Sequence, residues 1–202
     1  SLTDFVATYK AKGLAWIKVT QDGFDSSIVK FFTTEQLQAI AERMGAQAGD
    51  LLLFVADQPK VVADALANLR LHLGKKLDLI DESRFDMLWM IDFPLFEWDE
   101  DDKRYQPAHH LFTSPTADTI DLISDNPGQV KAQHYDMVIN GNEVASGSVR
   151  IHQWAVQQQI LEVLNLAPED IKTRFGYFIE ALQYGTSPHA GIAPGLDRLV
   201  ML

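Results

Sequence analysis

Tyr135-Asp136-Met137-Val138-Ile139-Asn140-Gly141-Asn142-Glu143-Val144-Ala145-Ser146-Gly147-Ser148-Val149-Arg150-Ile151-His152 reads as an antiparallel hairpin. Asn140-Gly141 sits between apolar, β-branched flanks, and this pair is the one most favoured where both central turn residues need positive φ. With that turn, Val138 stands opposite Glu143, so Asp136 and Glu143 fall on one face as diagonal neighbours. Two such carboxylates can converge on a hard cation such as Mg²⁺, or simply face solvent as ordinary strand residues. Arg150 lies seven residues beyond Glu143, and strict alternation would send it to the opposite face. A one-residue bulge within Ala145-Ser146-Gly147-Ser148 would restore the parity, because small residues tolerate the extra residue and close backbone approach. On the carboxylate face, Arg150 offers a planar fork to a carboxylate ligand, or else makes an ordinary ion pair.

The wider composition limits what this hairpin can belong to. The 202 residues are 47% hydrophobic and 22% charged, values of a folded chain long enough for one large domain or two modest ones. No apolar run approaches the roughly 20 residues of a membrane span, so no membrane partner is expected. The chain has no cysteine, which excludes thiolate nucleophiles and Cys-based zinc sites and agrees with a reducing, cytoplasmic compartment. Lys plus Arg number 17 against 28 Asp plus Glu, a net charge of -11. That argues against nucleic-acid binding through bulk positive charge, while a local basic contact survives. A start at Ser1 without methionine suggests a piece excised from a longer protein.

Upstream, Leu14 to Val19 and Ile28 to Phe32 read as strands, with Gly23 in the turn between them. Thr33 and Gln36 form a capping-box pattern ahead of Leu37, Ile40, Ala41 and Met44, and Gly45 supplies a stop. Leu51 to Ala56 reads as a buried strand. A helix from Pro59 follows, with Val62, Leu66, Leu69 and Leu73 inward and Gly74 as its end. The polar stretch Asp78 to Ser83 is the expected domain boundary, giving domains 1–82 and 83–202. Beyond it Met87 to Trp98 is a long strand-like run interrupted by Pro94, followed by a charged turn over 99–104. Downstream of the hairpin, Val156, Ile160, Leu161 and Leu164 define one helix. Pro168 opens another with Ile171, Phe175, Phe178, Ile179 and Leu182 inward and Gly185 at its end. Phe175, Tyr177, Phe178 and Tyr184 are expected in the core or at its rim.

The 33 residues from Asp102 to His134 show little regular pattern beyond a short helix near Ala117 to Ile123, and such stretches inside compact domains are usually functional. They contain His109-His110. Adjacent histidines on an extended segment point opposite ways, so one can face a ligand while the other packs. The C-terminal Gly191-Ile192-Ala193-Pro194-Gly195-Leu196-Asp197-Arg198 reads as a strand turning through Gly195 into a helix. Its glycines, helix start and Arg198 suit a nucleotide's ring and phosphates, though similar turns also arise for packing alone.

Taken in order, Gln106 to Pro115, Tyr135 to Val144, Gly147 to His152 and Gly191 to Arg198 resemble the bacterial aspartyl-tRNA synthetases. The last segment resembles motif 3 of class II synthetases, and residues 1–82 resemble the GAD insertion domain. The resemblance implies an α+β fold, a small α/β GAD-like domain followed by part of a class II antiparallel sheet flanked by helices. It implies that His109 and Arg150 contact the substrate L-aspartate, with His110 beside them. Glu143 would contact ATP through Mg²⁺ with Asp136 next to it, and Gly195, Leu196, Asp197 and Arg198 would form the ATP wall, Arg198 on the γ-phosphate. The catalytic set is then Arg150, Arg198 and Glu143, the partners are ATP, L-aspartate and tRNA(Asp), and the full-length parent is a homodimer. In place of the glycine run common in that family, Ala145 and Ser146 precede Gly147. Motifs 1 and 2 and the anticodon-binding domain are expected outside this stretch, leaving it inactive alone. A non-catalytic binding module and a related asparagine enzyme are the competing readings.

Overall fold

Thr33 caps its helix as the pattern requires: its Oγ1 accepts from the Gln36 N–H at 3.3 Å, while Gln36 Oε1 accepts from the Thr33 N–H at 2.9 Å. In a computed structural model, which describes residues 1–202, this helix belongs to the first of two units, Ser1–Ser83 and Arg84–Leu202. The first unit runs α1 (Leu2–Ala7), β1 (Ala15–Thr20), β2 (Gly23–Asp25), α2 (Thr34–Arg43), β3 (Leu51–Phe54) and α3 (Pro59–Lys76). Its sheet is antiparallel, in the order β2-β1-β3. Alternation along β3 sends Leu52 toward Ile17, Val19 and Leu37, and Leu53 toward Val6, Ala65 and Leu69. The sheet thus separates two small cores, as a period-2 strand allows.

Four expectations fail in this unit, one being the buried strand over Leu51 to Ala56: β3 ends at Phe54 and its Leu51 is 50% exposed. Ile28 to Phe32 is no strand: Val29–Phe31 forms a 3₁₀ turn, and the strand paired with β1 is Gly23–Asp25. Ile28 and Val29 do reach the core, but Phe31 is 72% exposed, so the alternation that a paired strand needs is absent. Met44 is the exposed C-cap of α2. Gly74 does not end α3, which continues to Lys76; a Cβ there would lie 3.3 Å from Ile80.

The second unit contains β4 (Met87–Met90), β5 (Phe96–Asp99), β6 (Arg104–Pro107), β7 (His134–Ile139), β8 (Asn142–Val149), α4 (Trp154–Val163), α5 (Pro168–Tyr184), β9 (Ala190–Pro194) and α6 (Leu196–Met201). The main sheet is antiparallel in the order β4-β7-β8-β9, with β5-β6 as a separate hairpin. Met87 to Trp98 is therefore two strands, broken where Asp92 takes φ 61° and Pro94 bridges Lys131. Ile123, Val130, Ala132, Ile151, Ile160 and Leu164 build the core under the irregular stretch. Phe175 and Phe178 pack on Phe112, whereas Tyr177 and Tyr184 are 82% and 85% exposed and not part of the core or its rim. No helix is long and apolar enough to cross a membrane.

Candidate active site

Asn140 and Gly141 take φ 49° and 80°, the primed turn that their residue types favour, and Val138 pairs with Glu143. The register then slips: Met137 pairs with Ala145 and Asp136 with Ser146, leaving Val144 as the extra residue. The bulge thus sits one residue ahead of Ala145-Ser146-Gly147-Ser148. Its consequence is the expected one, since Asp136, Glu143 and Ser146 now share a face, and Ser148 opposite His134 continues it. Gly147 points the other way, where a Cβ would meet the Gly191 carbonyl oxygen at 2.3 Å and Tyr135 Cε2 at 2.4 Å. Only glycine lets β9 pair at this spacing.

At one end of the face Arg150 Nη1 donates to His110 Nε2, and Ser148 Oγ lies 3.3 Å from the same nitrogen. The Phe112 N–H donates to His110 Nδ1 at 3.2 Å, with Thr113 Oγ1 3.4 Å from the same nitrogen, so a donor stands at each ring nitrogen and an added proton is disfavoured. Burial, and behind it the Arg150 charge, lower the His110 pKa to about 4. The ring is therefore neutral near pH 7 and orients the arginine.

At the other end Arg198 Nη1 donates to the Glu143 carbonyl at 2.6 Å and to its Oε1 at 3.1 Å. Both side chains remain about half exposed, and Glu143 Oε2 has no protein partner. Gly195 caps α6 and anchors it by donating from its N–H to Val144 O at 2.8 Å, so the bulge residue also places Arg198. Leu196 and Asp197 are exposed in the first turn of α6. With β-strand rise, Glu143 and Arg150 lie roughly 20 Å apart along the backbone. The two ends are thus poles of one elongated face, not a single contact.

His109 and His110 have separate partners, His110 meeting Arg150 and Ser148 while His109 packs. The segment is bent, not extended, and His109 stacks on His134 at 3.5 Å and 10°, with Phe93 edge-on to both rings. Desolvation, then electrostatic repulsion from the neighbouring imidazole, lower the His109 pKa below its usual value. His134 was not singled out by the sequence, because a histidine inside an alternating strand looks like any polar residue. It is 6% exposed and its Nε2 donates to Asp136 Oδ1 at 3.0 Å, with Ser146 Oγ 3.4 Å away. His134 Nδ1 is buried without a partner.

The two candidate cation ligands are each engaged through one oxygen, Glu143 with Arg198 and Asp136 with His134. Glu143 is half exposed and Asp136 8% exposed, and each keeps a second oxygen that could meet a hard ion retaining its waters. No group of three or more His, Asp or Glu that could hold a metal by itself is present. A cleft of about 620 Å³ between α4 and α5, lined by Trp154, Leu161, Ile171 and Ile179, contains none of these residues.

The face carries an arginine at each pole, Arg150 and Arg198. Residues 10–202 match the family described as tRNA synthetases class II (D, K and N), and the chain belongs to that family. It is 49% identical over 201 residues to an aspartate–tRNA(Asp/Asn) ligase of Geotalea uraniireducens and 52% identical over 202 residues to one of Geobacillus sp. WCH70. Each match covers 100% of this chain and 34% of the relative, so the chain spans about a third of the length of these curated relatives. An aspartyl-tRNA synthetase of Entamoeba histolytica matches 83% of this chain and 27% of its own at 21% identity and a TM-score of 0.43.

Proposed function

We propose that this chain is the part of an aspartate–tRNA ligase that binds L-aspartate and the phosphates of ATP, within a longer polypeptide that completes the site. The observation that carries this reading is the parity reset at Val144, which puts Glu143 on the face of β8 shared by Ser146 and Ser148, with Arg150 two residues further on. Arg150, held by neutral His110, receives the side-chain carboxylate of aspartate through its fork. Arg198 receives the terminal phosphate of ATP, and Gly195, Leu196 and Asp197 form the wall beside it. Glu143 would hold Mg²⁺, which when bound neutralises phosphate charge.

The reaction is attack of the aspartate α-carboxylate on the α-phosphate of ATP, giving aspartyl adenylate and pyrophosphate, followed by transfer to a hydroxyl of the terminal adenosine of tRNA(Asp). Positioning and charge stabilisation carry both steps, and no protein nucleophile is needed. A homodimeric, cytoplasmic parent belongs to the same proposal, as does assignment of residues 1–82 as the GAD-like domain and 83–202 as catalytic core.

The test is aspartate-dependent ATP–pyrophosphate exchange. A full-length protein carrying this chain is expected to exchange with L-aspartate and not with L-asparagine, and the 202-residue chain alone to be inactive. Robust exchange by the isolated chain, or none by the full-length protein, refutes the proposal. The second outcome would favour a synthetase-like binding module, a reading to which the engaged state of Asp136 also lends support.

A further inference from the structure

Gln157, near the start of α4, is fully buried, which is unusual for a side chain that ends in an amide. Its Nε2 donates to the Leu111 carbonyl at 2.9 Å, 46 residues away in sequence, and its Oε1 is buried without a partner. The peptide that joins Leu111 to Phe112 is planar and trans, so its carbonyl and its N–H point to opposite sides. The carbonyl faces Gln157, and the N–H on the other side donates to His110 Nδ1 at 3.2 Å. The far nitrogen of that ring, Nε2, receives Arg150. We infer that Gln157 is a positioning residue: it fixes the plane of the Leu111–Phe112 peptide, and through it the His110 ring and the Arg150 fork that receives the amino acid.

An amide inside a fold is tolerated where its polar groups are paired, because an unpaired one carries the full desolvation penalty. Gln157 meets that condition at Nε2 and not at Oε1, so its bond to Leu111 is what the side chain supplies. The Leu111 carbonyl in turn has no other hydrogen-bond partner. Neighbouring contacts fix the course of the segment: Leu111 packs on the core that includes Ile151 and Ile160, the Phe112 carbonyl accepts from the Ile151 N–H at 3.0 Å, and the Phe112 ring lies against Phe175 and Phe178. The tilt of the peptide plane within that course is set by Gln157. Without the bond, the carbonyl would stand unpaired and the plane could turn, carrying the Phe112 N–H off His110 Nδ1. The ring would then keep only the longer contacts of Ser148 Oγ at 3.3 Å and Thr113 Oγ1 at 3.4 Å, and Arg150 would lose a fixed partner.

This inference rests on the proposed function, since it assumes that Arg150 reads the aspartate carboxylate. It is tested by aspartate-dependent ATP–pyrophosphate exchange in the full-length protein, with the KM of each substrate and a thermal melt measured for every variant. Gln157→Met keeps the length and bulk of the side chain, loses the donor and removes the unpaired Oε1. It should raise the KM for aspartate about three- to tenfold, the scale of one neutral hydrogen bond, and leave the KM for ATP within about twofold. Its Tm should stay within a few degrees of the unsubstituted protein. Gln157→Glu is the rescuing variant, because burial favours the neutral acid, whose O–H can donate to the Leu111 carbonyl, and ionisation abolishes that bond. Its KM for aspartate should match the unsubstituted protein near pH 6 and exceed it severalfold at about pH 8.5. A merely structural role would lower Tm and move both KM values together, with no such pH profile. An unchanged KM for aspartate in a folded Gln157→Met protein overturns the inference. Should that variant fail to fold, a Gln157→Glu protein whose aspartate KM tracks the unsubstituted protein across the same pH range overturns it equally. Exchange by the unsubstituted protein keeps these outcomes separate from the proposed function, which falls, and the inference with it, if no exchange occurs.

Discussion

Arg198 grips Glu143 twice, on the main chain and on the side chain, across 55 residues of sequence. The carbonyl contact is independent of the Glu143 side chain, so it would keep the arginine in place were the carboxylate to turn toward a cation. Arg198→Ala should therefore raise the KM for ATP and lower kcat for pyrophosphate exchange, together costing 10²- to 10³-fold in kcat/KM, on the order of one preorganised transition-state donor. Glu143→Gln, which keeps the carbonyl contact, should leave the α6 start folded by circular dichroism. An Arg198→Ala protein with unchanged exchange kinetics contradicts the assignment.

Arg150 and His110 form a donor–acceptor pair in which the ring is neutral. Arg150→Lys keeps the charge but loses the planar fork, and should raise the KM for aspartate about tenfold or more with little change in the KM for ATP. Equal effects on both substrates would place Arg150 elsewhere in the mechanism.

The depressed pKa of His110 makes stability pH-dependent in a defined direction. The unfolded chain takes up this proton near pH 6.5, whereas the folded chain refuses it until about 4. Between those values the unfolded state binds more protons, so stability falls as pH drops from 6.5 toward 4 and is unaffected by this group above 6.5. Urea midpoints for the chain and its His110→Gln variant should converge above pH 6.5 in their pH dependence and diverge below it, the unsubstituted protein losing more. A pH-independent difference would rule out this group as the cause.

Gly147 faces the Gly191 carbonyl and the Tyr135 ring at distances no Cβ can occupy. The tyrosine ring can swing, at the expense of its 3.1 Å hydrogen bond to the Gly191 carbonyl, but the β9 backbone cannot move without opening the pairing that leads to Gly195. Gly147→Ala should destabilise by about 1–3 kcal/mol, as overpacking does, and lower Tm by several degrees. Gly191→Ala has open space around it and should be near neutral in a thermal melt.

Much of this architecture was legible because it is local. The Asn140-Gly141 turn, the Thr33-Gln36 capping box, the helix begun by Pro168 and the strand-to-helix turn at Gly195 each depend on neighbours within about four residues, and each formed where its pattern stood. Ile28 to Phe32 was misread for the complementary reason. An apolar run does not say whether a strand lies beside it, and here none does.

Chain order and residue type were sufficient to nominate Glu143, Arg150 and Arg198 and to require a parity change between the first two. They could not place that change on Val144, because the bulge is selected by three strands pairing at once, with Gly147 admitting β9 and Val144 O anchoring Gly195. Nor could they separate Asp136 from Glu143. Two acids on one sheet face look alike until the fold pairs one with a buried imidazole two residues back on its own strand and the other with an arginine from a distant helix, and burial and hydrogen-bond partnership are properties of the folded chain alone.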